Sequence, residues 1–388
     1  MKLPIYLDHN ATTPVDEIVL TEMLPYFSEI YGNAASVDHE FGFEGLQAVN
    51  KSRERIATFI GAKNPEEIIF TSGATESDNL AISGVAEKYM DKGRHIITSV
   101  TEHKAILDTC KHLEKKGWDI SYLPVDQYGV IDIDEVQALI KKETVLISLM
   151  AANNEIGTLS PLKKIGKIAK ENNVLFHTDA TQALTYVPLD VQKMNIDLLS
   201  LSGHKIYGPK GVGALYVRNS NPRVKLIEQI HGGGHERGMR SGTLNVPGIV
   251  GLGKALELNT QSVKENYAKL KEMRDHLWAI LSSSLDEIEI NGHPELRLPH
   301  NLSIYIKGVE TRSLIVLIKN DVSLSTGSAC TTATVEPSHV ILALGFGEER
   351  AYSSLRIGIG KNNTIEQLNF VADKIIKSVK KLRALSLV

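Results

Sequence analysis

Between Val174 and Gly211 the chain reads VLFHTDATQALTYVPLDVQKMNIDLLSLSGHKIYGPKG, and its chemistry-bearing residues fall in two places. Asp179 and Gln182 follow the apolar run Val174–Phe176. Ser202, His204 and Lys205 follow the apolar run Ile196–Leu201. In open α/β sheets, ligands collect beyond the carboxyl ends of strands, and this set of side chains suits one cofactor above others. Pyridoxal 5′-phosphate needs an amine for its Schiff base, a carboxylate facing its pyridine nitrogen and donors for its phosphate. At about 4 Å and an effective dielectric of about 20, one aspartate–pyridinium pair is worth up to ~4 kcal/mol, roughly three decades in protonation equilibrium. A plainer reading stands beside it: a lysine after a strand is commonly a solvated loop residue, and Gly203 with Gly208 can be turn punctuation. A Walker-type phosphate loop is excluded, because Pro209 takes the lysine position and Lys210 precedes Gly211 instead of a hydroxyl residue.

Other candidates lie at comparable places. TSGATESDN (Thr71–Asn79) joins a short strand, Glu67–Phe70, to a helix carrying Ile82, Val85, Ala86 and Tyr89. Gly73, Ala74 and Thr75 therefore sit at a helix N-terminus, where free N–H groups and the helix dipole favour an anion. A simple capped turn is the alternative. His103 follows the strand Ile96–Thr98, and Asn154 follows Thr144–Met150. Taken singly, either is a structural hydrogen bonder. The HGGG at His231–Gly234 resembles a hydrolase oxyanion loop, but no GxSxG supplies a nucleophile. His231 and His235 lie among glycines and not on a helix, so no metal site is expected.

The elements that must position these residues alternate strand and helix, which argues a doubly wound α/β class with a mostly parallel sheet. The spacing predicts helices around Val19–Phe27, over Phe43–Ile60 and over Pro161–Lys170, and a strand at Val212–Val217. Past Ser262 the pattern changes. A long amphipathic segment through Trp278 and Leu285 leads to an α+β region: strands at Leu302–Ile306 and Ser354–Gly360, a helix at Leu314–Ile318 and another opened by Glu336-Pro337. Thr364 and Gln367 have capping-box spacing before a last helix. The division is then a large domain over 16–261 and a smaller domain made of 1–15 and 262–388.

Composition narrows the partners. The chain has 43 basic and 46 acidic residues among 388, a net charge of −3, and no long basic run except the Lys377–Arg383 tail. Nucleic acid is an unsuitable partner on that balance. No apolar run reaches the ~18 residues of a membrane span. Two cysteines, Cys110 and Cys330, cannot build a disulfide framework, and the N-terminus lacks a basic-then-apolar leader; a reduced, cytoplasmic setting is expected. Cys330 falls in the loop Ser323–Val335, crowded with small and hydroxyl residues (SLSTGSACTTAT) that offer little to bury a sulfur.

Taken together, YLDHNATTP, YGNAAS, TSGATESDN, TEH, NNEIG, HTDATQ, SGHKIYGPKG, ERGMRSGTLN, STGSACTTATVEPSHV and SLRIGIG resemble the cysteine desulfurases of the class V aminotransferase superfamily. The match spans essentially the whole chain, in order. The resemblance implies a pyridoxal phosphate enzyme of fold type I and a homodimer with active sites near the subunit boundary. Lys205 would carry the cofactor, Asp179 face its pyridine nitrogen and Gln182 donate to its phenolic oxygen, with His103 stacked on the ring. Ala74, Thr75, Ser202 and His204 would hold the phosphate, completed by Thr243 from the other subunit. Arg356 would take the substrate carboxylate, with Asn154 and Asn33 beside it. L-cysteine would give L-alanine and a persulfide on Cys330, which passes to a sulfur acceptor such as an iron–sulfur scaffold protein. Two departures are visible. Ala34 replaces the family's usual proline, and Lys361 with a chain end at Val388 replaces the arginine and long tail that dock scaffolds in housekeeping members. An aminotransferase, a selenocysteine lyase and a cofactor-free scaffold are the competing functions.

Overall fold

The computed structural model describes residues 2–326 and 336–386. Short apolar runs make the strands: β1 (Ile5–Tyr6), β2 (Ile68–Thr71), β3 (His95–Ser99), β4 (Asp119–Leu123), β5 (Thr144–Ser148), β6 (Leu175–Asp179), β7 (Leu198–Ser202) and β8 (Gly213–Val217). All but β1 join one seven-stranded sheet in the order β2-β8-β7-β6-β5-β3-β4. From β7 to β4 the neighbours are parallel, and β8 runs antiparallel to β2 and β7. The expected α/β class with a mostly parallel mixed sheet is what forms.

Successive residues along a strand serve opposite layers. Ile68, Phe70, Leu199, Leu201 and Tyr216 belong to the core shared with the helices Glu40–Ile60 and Val246–Ser284. Ile69, Leu198 and Leu215 belong to the core shared with the helices Ala74–Tyr89 and Lys104–Lys115. Each fully buried Leu or Ile there contributes about 1.5–3 kcal/mol, which holds the sheet between its two helical layers.

The second face changes character toward the strand ends. On β6 it runs Leu175, His177, Asp179; on β7 it runs Leu198, Ser200, Ser202. Apolar side chains anchor the start of each strand and polar ones arrive at its carboxyl end. His177, fully buried, is satisfied sideways: its Nδ1 lies 2.8 Å from Ser148 Oγ on β5 and its Nε2 3.0 Å from Ser200 Oγ on β7.

The remaining strands are β9 (Ile288–Ile290), β10 (Asn301–Ile306), β11 (Val322–Ser323) and β12 (Ser354–Gly358). They form an antiparallel sheet β12-β10-β9 and a parallel pair β1-β11. Asp8 also bridges to Gly358, so residues 5–13 are held by strands near the far end of the chain. Helix Val246–Ser284 runs unbroken past position 262. The capping box forms as spaced: Gln367 N–H donates to Thr364 Oγ1, and Thr364 N–H donates to Gln367 Oε1.

Three details differ from the pattern reading. Edge strand β4 carries no strong apolar signal, because Asp119 and Ser121 alternate with half-buried Ile120 and Tyr122. The helix expected to open at Glu336-Pro337 begins at His339, since the Ser338 hydroxyl accepts from Ile341 N–H and makes Ser338 the cap. The helix around Val19–Phe27 breaks at Leu24 before Pro25, leaving Leu24 and Phe27 on the surface. Among the described residues no helix is long and apolar enough to cross a membrane, and no cluster of His, Cys, Asp or Glu could hold a metal ion.

Candidate active site

A cavity of about 560 Å3 opens at the carboxyl ends of β5, β6 and β7 and gathers most of the residues singled out above. Its lining includes Ala74, Thr75, His103, Asn154, Asp179, Gln182, Ser202, His204, Lys205 and Arg356. At one end the helix Ala74–Tyr89 begins with Gly73 at φ 157°, a conformation that L side chains rarely adopt, and no side chain caps its first turn. Gly213 on β8 lies so close that a Cβ there would meet Gly73 Cα at 2.7 Å. Two glycines thus let strand and loop approach, and the uncapped N–H groups face the space beside Ser202 and His204.

Lys205 stands on the short turn Gly203–Lys205 after β7, and its Nζ donates to Asn10 O at 2.6 Å and Ala11 O at 2.7 Å. Burial, then the positive charge of Arg356, pulls the lysine down to about 8, with Asp8 and Asp179 opposing. A substantial fraction of the amine is therefore neutral near physiological pH, the form that can attack a carbonyl. Asp179 accepts the N–H of Thr181 at 2.9 Å, and Gln182 Nε2 donates to Asn10 O at 2.9 Å. His204, pulled to about 4 by burial and by Lys205 and Lys210, is neutral and sits 3.1 Å from Thr12 Oγ1.

His103 caps the helix Lys104–Lys115: its Nδ1 accepts the N–H of Ala105 at 3.1 Å. Its ring opens onto the cavity, while surrounding protein, Lys205 and His339 lower its pKa against Asp179 and Glu155. With Nδ1 committed as an acceptor, the neutral ring carries its proton on Nε2. Arg356, on β12, reaches across with Nη1 donating to Asn154 O at 3.2 Å and Nη2 to Asp8 Oδ1 at 3.0 Å. A planar fork of this kind is shaped for a carboxylate.

Cys330 lies outside the described residues. The chain on either side of it is attached near the cavity: Ser325 Oγ donates to Asp8 Oδ1 at 3.0 Å, and Ser338 Oγ donates to Glu155 Oε2. Cys110 is fully buried, and burial pushes its thiol up to about 12, which makes it an inert core group.

Asn33 is not brought to this cavity; it is exposed and its Oδ1 accepts the N–H of Ala35 at 3.0 Å in a turn. Thr243 is exposed and stands apart from its own chain's cavity. Pattern reading gave no role to Asn10, Ala11 and Thr12, which wall the cavity, to Asp8, which holds Arg356 beside it, nor to the buried acids Asp78 and Glu102. The legible signal for the first group was a turn-rich polar stretch between a strand and Pro14. For Asp78 and Glu102 it was only their places beside Thr75 and His103.

The donor set fits pyridoxal phosphate: an amine of depressed basicity, a carboxylate at the neighbouring strand end, and uncapped N–H groups with two hydroxyls at a helix start. Residues 5–371 match the family model for aminotransferase class V, and the chain belongs to that family. Its architecture is that of the pyridoxal phosphate transferases of fold type I.

Among its relatives, a protein of Neisseria meningitidis serogroup C named cysteine desulfurase IscS is 50% identical over 386 residues, covering 100% of this chain and 95% of the relative. The cysteine desulfurase IscS of Salmonella typhi is 47% identical over 388 residues, with the same coverage. A solved NifS-like protein superposes with a TM-score of 0.91 at 37% identity, covering 98% of this chain and 100% of that one. Another, SspA in complex with cysteine, gives 0.81 at 38% identity, with 93% and 100% covered.

Proposed function

We propose that this protein is a cysteine desulfurase that converts L-cysteine to L-alanine and leaves the sulfur as a persulfide on Cys330. The observation that carries the reading is the convergence of Lys205, Asp179, His103 and Arg356 on one cavity. When bound, pyridoxal phosphate supplies an electron sink for the substrate's α-carbon.

The chain's own groups divide the remaining work. Arg356 takes the substrate carboxylate and Asn154, whose carbonyl it already holds, shares that end of the pocket. Lys205 attaches the cofactor and, with basicity near 8, removes and returns a proton at Nζ. His103 holds a proton at Nε2 for delivery on the opposite side of the cavity. Asp179 supplies the negative charge for the ring nitrogen, Gln182 the donor beside it, and Ala74, Thr75, Ser202 and His204 the phosphate end. The Cys330 sulfur bonds to the substrate sulfur as the carbon–sulfur bond of cysteine breaks; the electron pair stays on carbon, which takes a proton to become alanine. Cys330 then carries the extra sulfur to an acceptor thiol.

Surface composition supports a homodimer. Leu20, Leu24, Phe27, Tyr31, Phe41 and Phe43 are each at least 45% exposed within the first 43 residues, an apolar concentration that a second copy would cover. In such a homodimer Thr243 would complete the partner's phosphate end, and the exposed turn at Asn33 would lie at the shared boundary. Residues 16–261 then act as the large domain, with 1–15 and 262–388 as the small one. A cytoplasmic protein that feeds an iron–sulfur scaffold fits the persulfide chemistry. Lys361, whose Nζ pairs with Asp16, is committed inside the fold and leaves docking to other surfaces.

Purified protein incubated with L-cysteine and a reductant should release sulfide and alanine in equal amounts. Cys330→Ala should still bind cofactor and substrate, yet carry no persulfide and release no sulfide. Near-normal sulfide from that variant, accompanied by pyruvate, would replace the reading with a β-elimination lyase.

A further inference from the structure

Asp78 lies on the second turn of the helix Ala74–Tyr89, 1% exposed, beneath the cavity it helps to line. Neither of its oxygens makes a close hydrogen bond among the described residues, and the Ser200 hydroxyl bears on the carboxyl only weakly. Facing it are Asp179 and His177 from β6, Ser200 from β7, and Glu102 from the turn after β3. His177 Nε2 is 3.7 Å away, but burial pulls that imidazole to about 3, so it stays neutral. The Ser200 hydroxyl, which bears on Asp78, is bound to His177. No lysine or arginine pairs with Asp78 among the described residues.

Asp78 and Glu102, each 1% exposed, therefore lie close behind Asp179 with no cation beside them among the described residues, where burial disfavours their charged forms. Glu102 is equally buried, with Oε1 accepting the Met150 N–H at 2.8 Å and Oε2 unpaired. Asp179 is the least buried of the three, 7% exposed, and accepts a main-chain N–H. Burial and the charge of Asp179 both raise Asp78 well above an ordinary aspartate, and burial raises Glu102 likewise. An ionised Asp78 would add a second, uncompensated charge to this buried region behind Asp179.

We propose that Asp78 is a positioning residue: a neutral carboxylic acid that keeps its proton behind Asp179, so that Asp179 alone presents negative charge to the cofactor ring. The inference rests on the reading of Asp179 as the partner of the pyridine nitrogen. Its chemistry differs from that of an ion pair, because the group works by staying uncharged.

Infrared spectroscopy of the wild-type holoenzyme at pH 8 tests this without any variant. A protonated-carboxyl C=O stretch is expected, and Asp78→Asn should remove part of it. Asn reproduces the neutral acid, so D78N should keep the visible absorbance of the bound cofactor and its dissociation constant within about threefold. Asp78→Ala, which leaves a void and an unfaced Ser200 hydroxyl behind Asp179, should weaken cofactor binding by at least about tenfold. Absence of any protonated-carboxyl band at pH 8, or D78N as damaging as D78A, or a silent D78A, would each overturn the proposal. Asp179→Asn separates the two readings. If that variant leaves the cofactor absorbance unmoved, the role of Asp179 fails; if it shifts the absorbance while both Asp78 variants are silent, only the role of Asp78 fails.

Discussion

Glu236 and Arg53 form a buried pair whose disruption should be felt both in stability and at the site. Arg53 Nη1 and Nη2 donate to the two carboxylate oxygens at 2.8 and 2.7 Å, and Phe70 N–H donates to Glu236 Oε2 at 2.8 Å. The two side chains are only 9% and 3% exposed. Arg53 also donates to Ile68 O and lies 4.6 Å from the centre of the Phe70 ring, so it is fixed from three sides. Glu236→Gln keeps the shape and removes the charge, stranding a largely buried guanidinium without its carboxylate. Breaking one half of a buried ion pair costs about 3–5 kcal/mol, and the upper half of that range is expected because Gln also turns an N–H₂ toward Arg53. Urea unfolding of cofactor-saturated protein at fixed protein concentration measures the loss. Glu236 anchors the stretch that runs on to Thr243, so cofactor retention should fall as well. Adding Arg53→Met to Glu236→Gln should recover more than half of the lost stability, since the stranded charge is gone and the amide oxygen still receives Phe70 N–H. A loss below about 1 kcal/mol in E236Q, or no recovery in the double variant, would refute the reasoning.

Other expectations follow from the cavity. Lys205→Ala should abolish borohydride-reducible attachment of the cofactor and its visible absorbance; a surviving covalent link would remove Lys205 from its role. Arg356→Lys should raise the KM for cysteine at least about tenfold while the cofactor spectrum stays normal, because a fork is lost and the cofactor's own contacts are not; an unchanged KM would place the carboxylate elsewhere. If Thr243 serves the neighbouring subunit, a fully active monomer should not exist, which sedimentation of the active species decides.

The cofactor end of the site was legible because its chemistry is local in sequence. Asp179, Ser202 and Lys205 each close an apolar run, and strand polarity carries them to one rim. Gly73 with Thr75 was readable for the same reason, as a strand running straight into a helix. Contacts that depend on distant pairing were not. Nothing in the spacing of YLDHNATTP says that Asn10 and Ala11 will offer carbonyls to Lys205, some 195 residues later. The buried acids escaped notice because helix periodicity assigns Asp78 to a face without saying that Asp179 and His177 wait beneath it. Edge strand β4 gave a faint pattern since only half of each side chain set is covered.

The pairing of Asp8 and His9 with Gly358 has a consequence for synthesis. His9 Nδ1 and Gly358 O are separated by 349 residues of chain, yet lie 3.0 Å apart. On a ribosome adding roughly 5–20 residues per second, the stretch that walls Lys205 waits about 20–70 s for the strand that fastens it. During that interval the seven-stranded sheet, complete by Val217, can already be folded with its cavity unwalled on one side. Cofactor captured by the nascent chain would be loosely held, and the last strands to emerge would both close the pocket and deliver Arg356. Holding and reactivity would thus arrive together, once β12 has emerged.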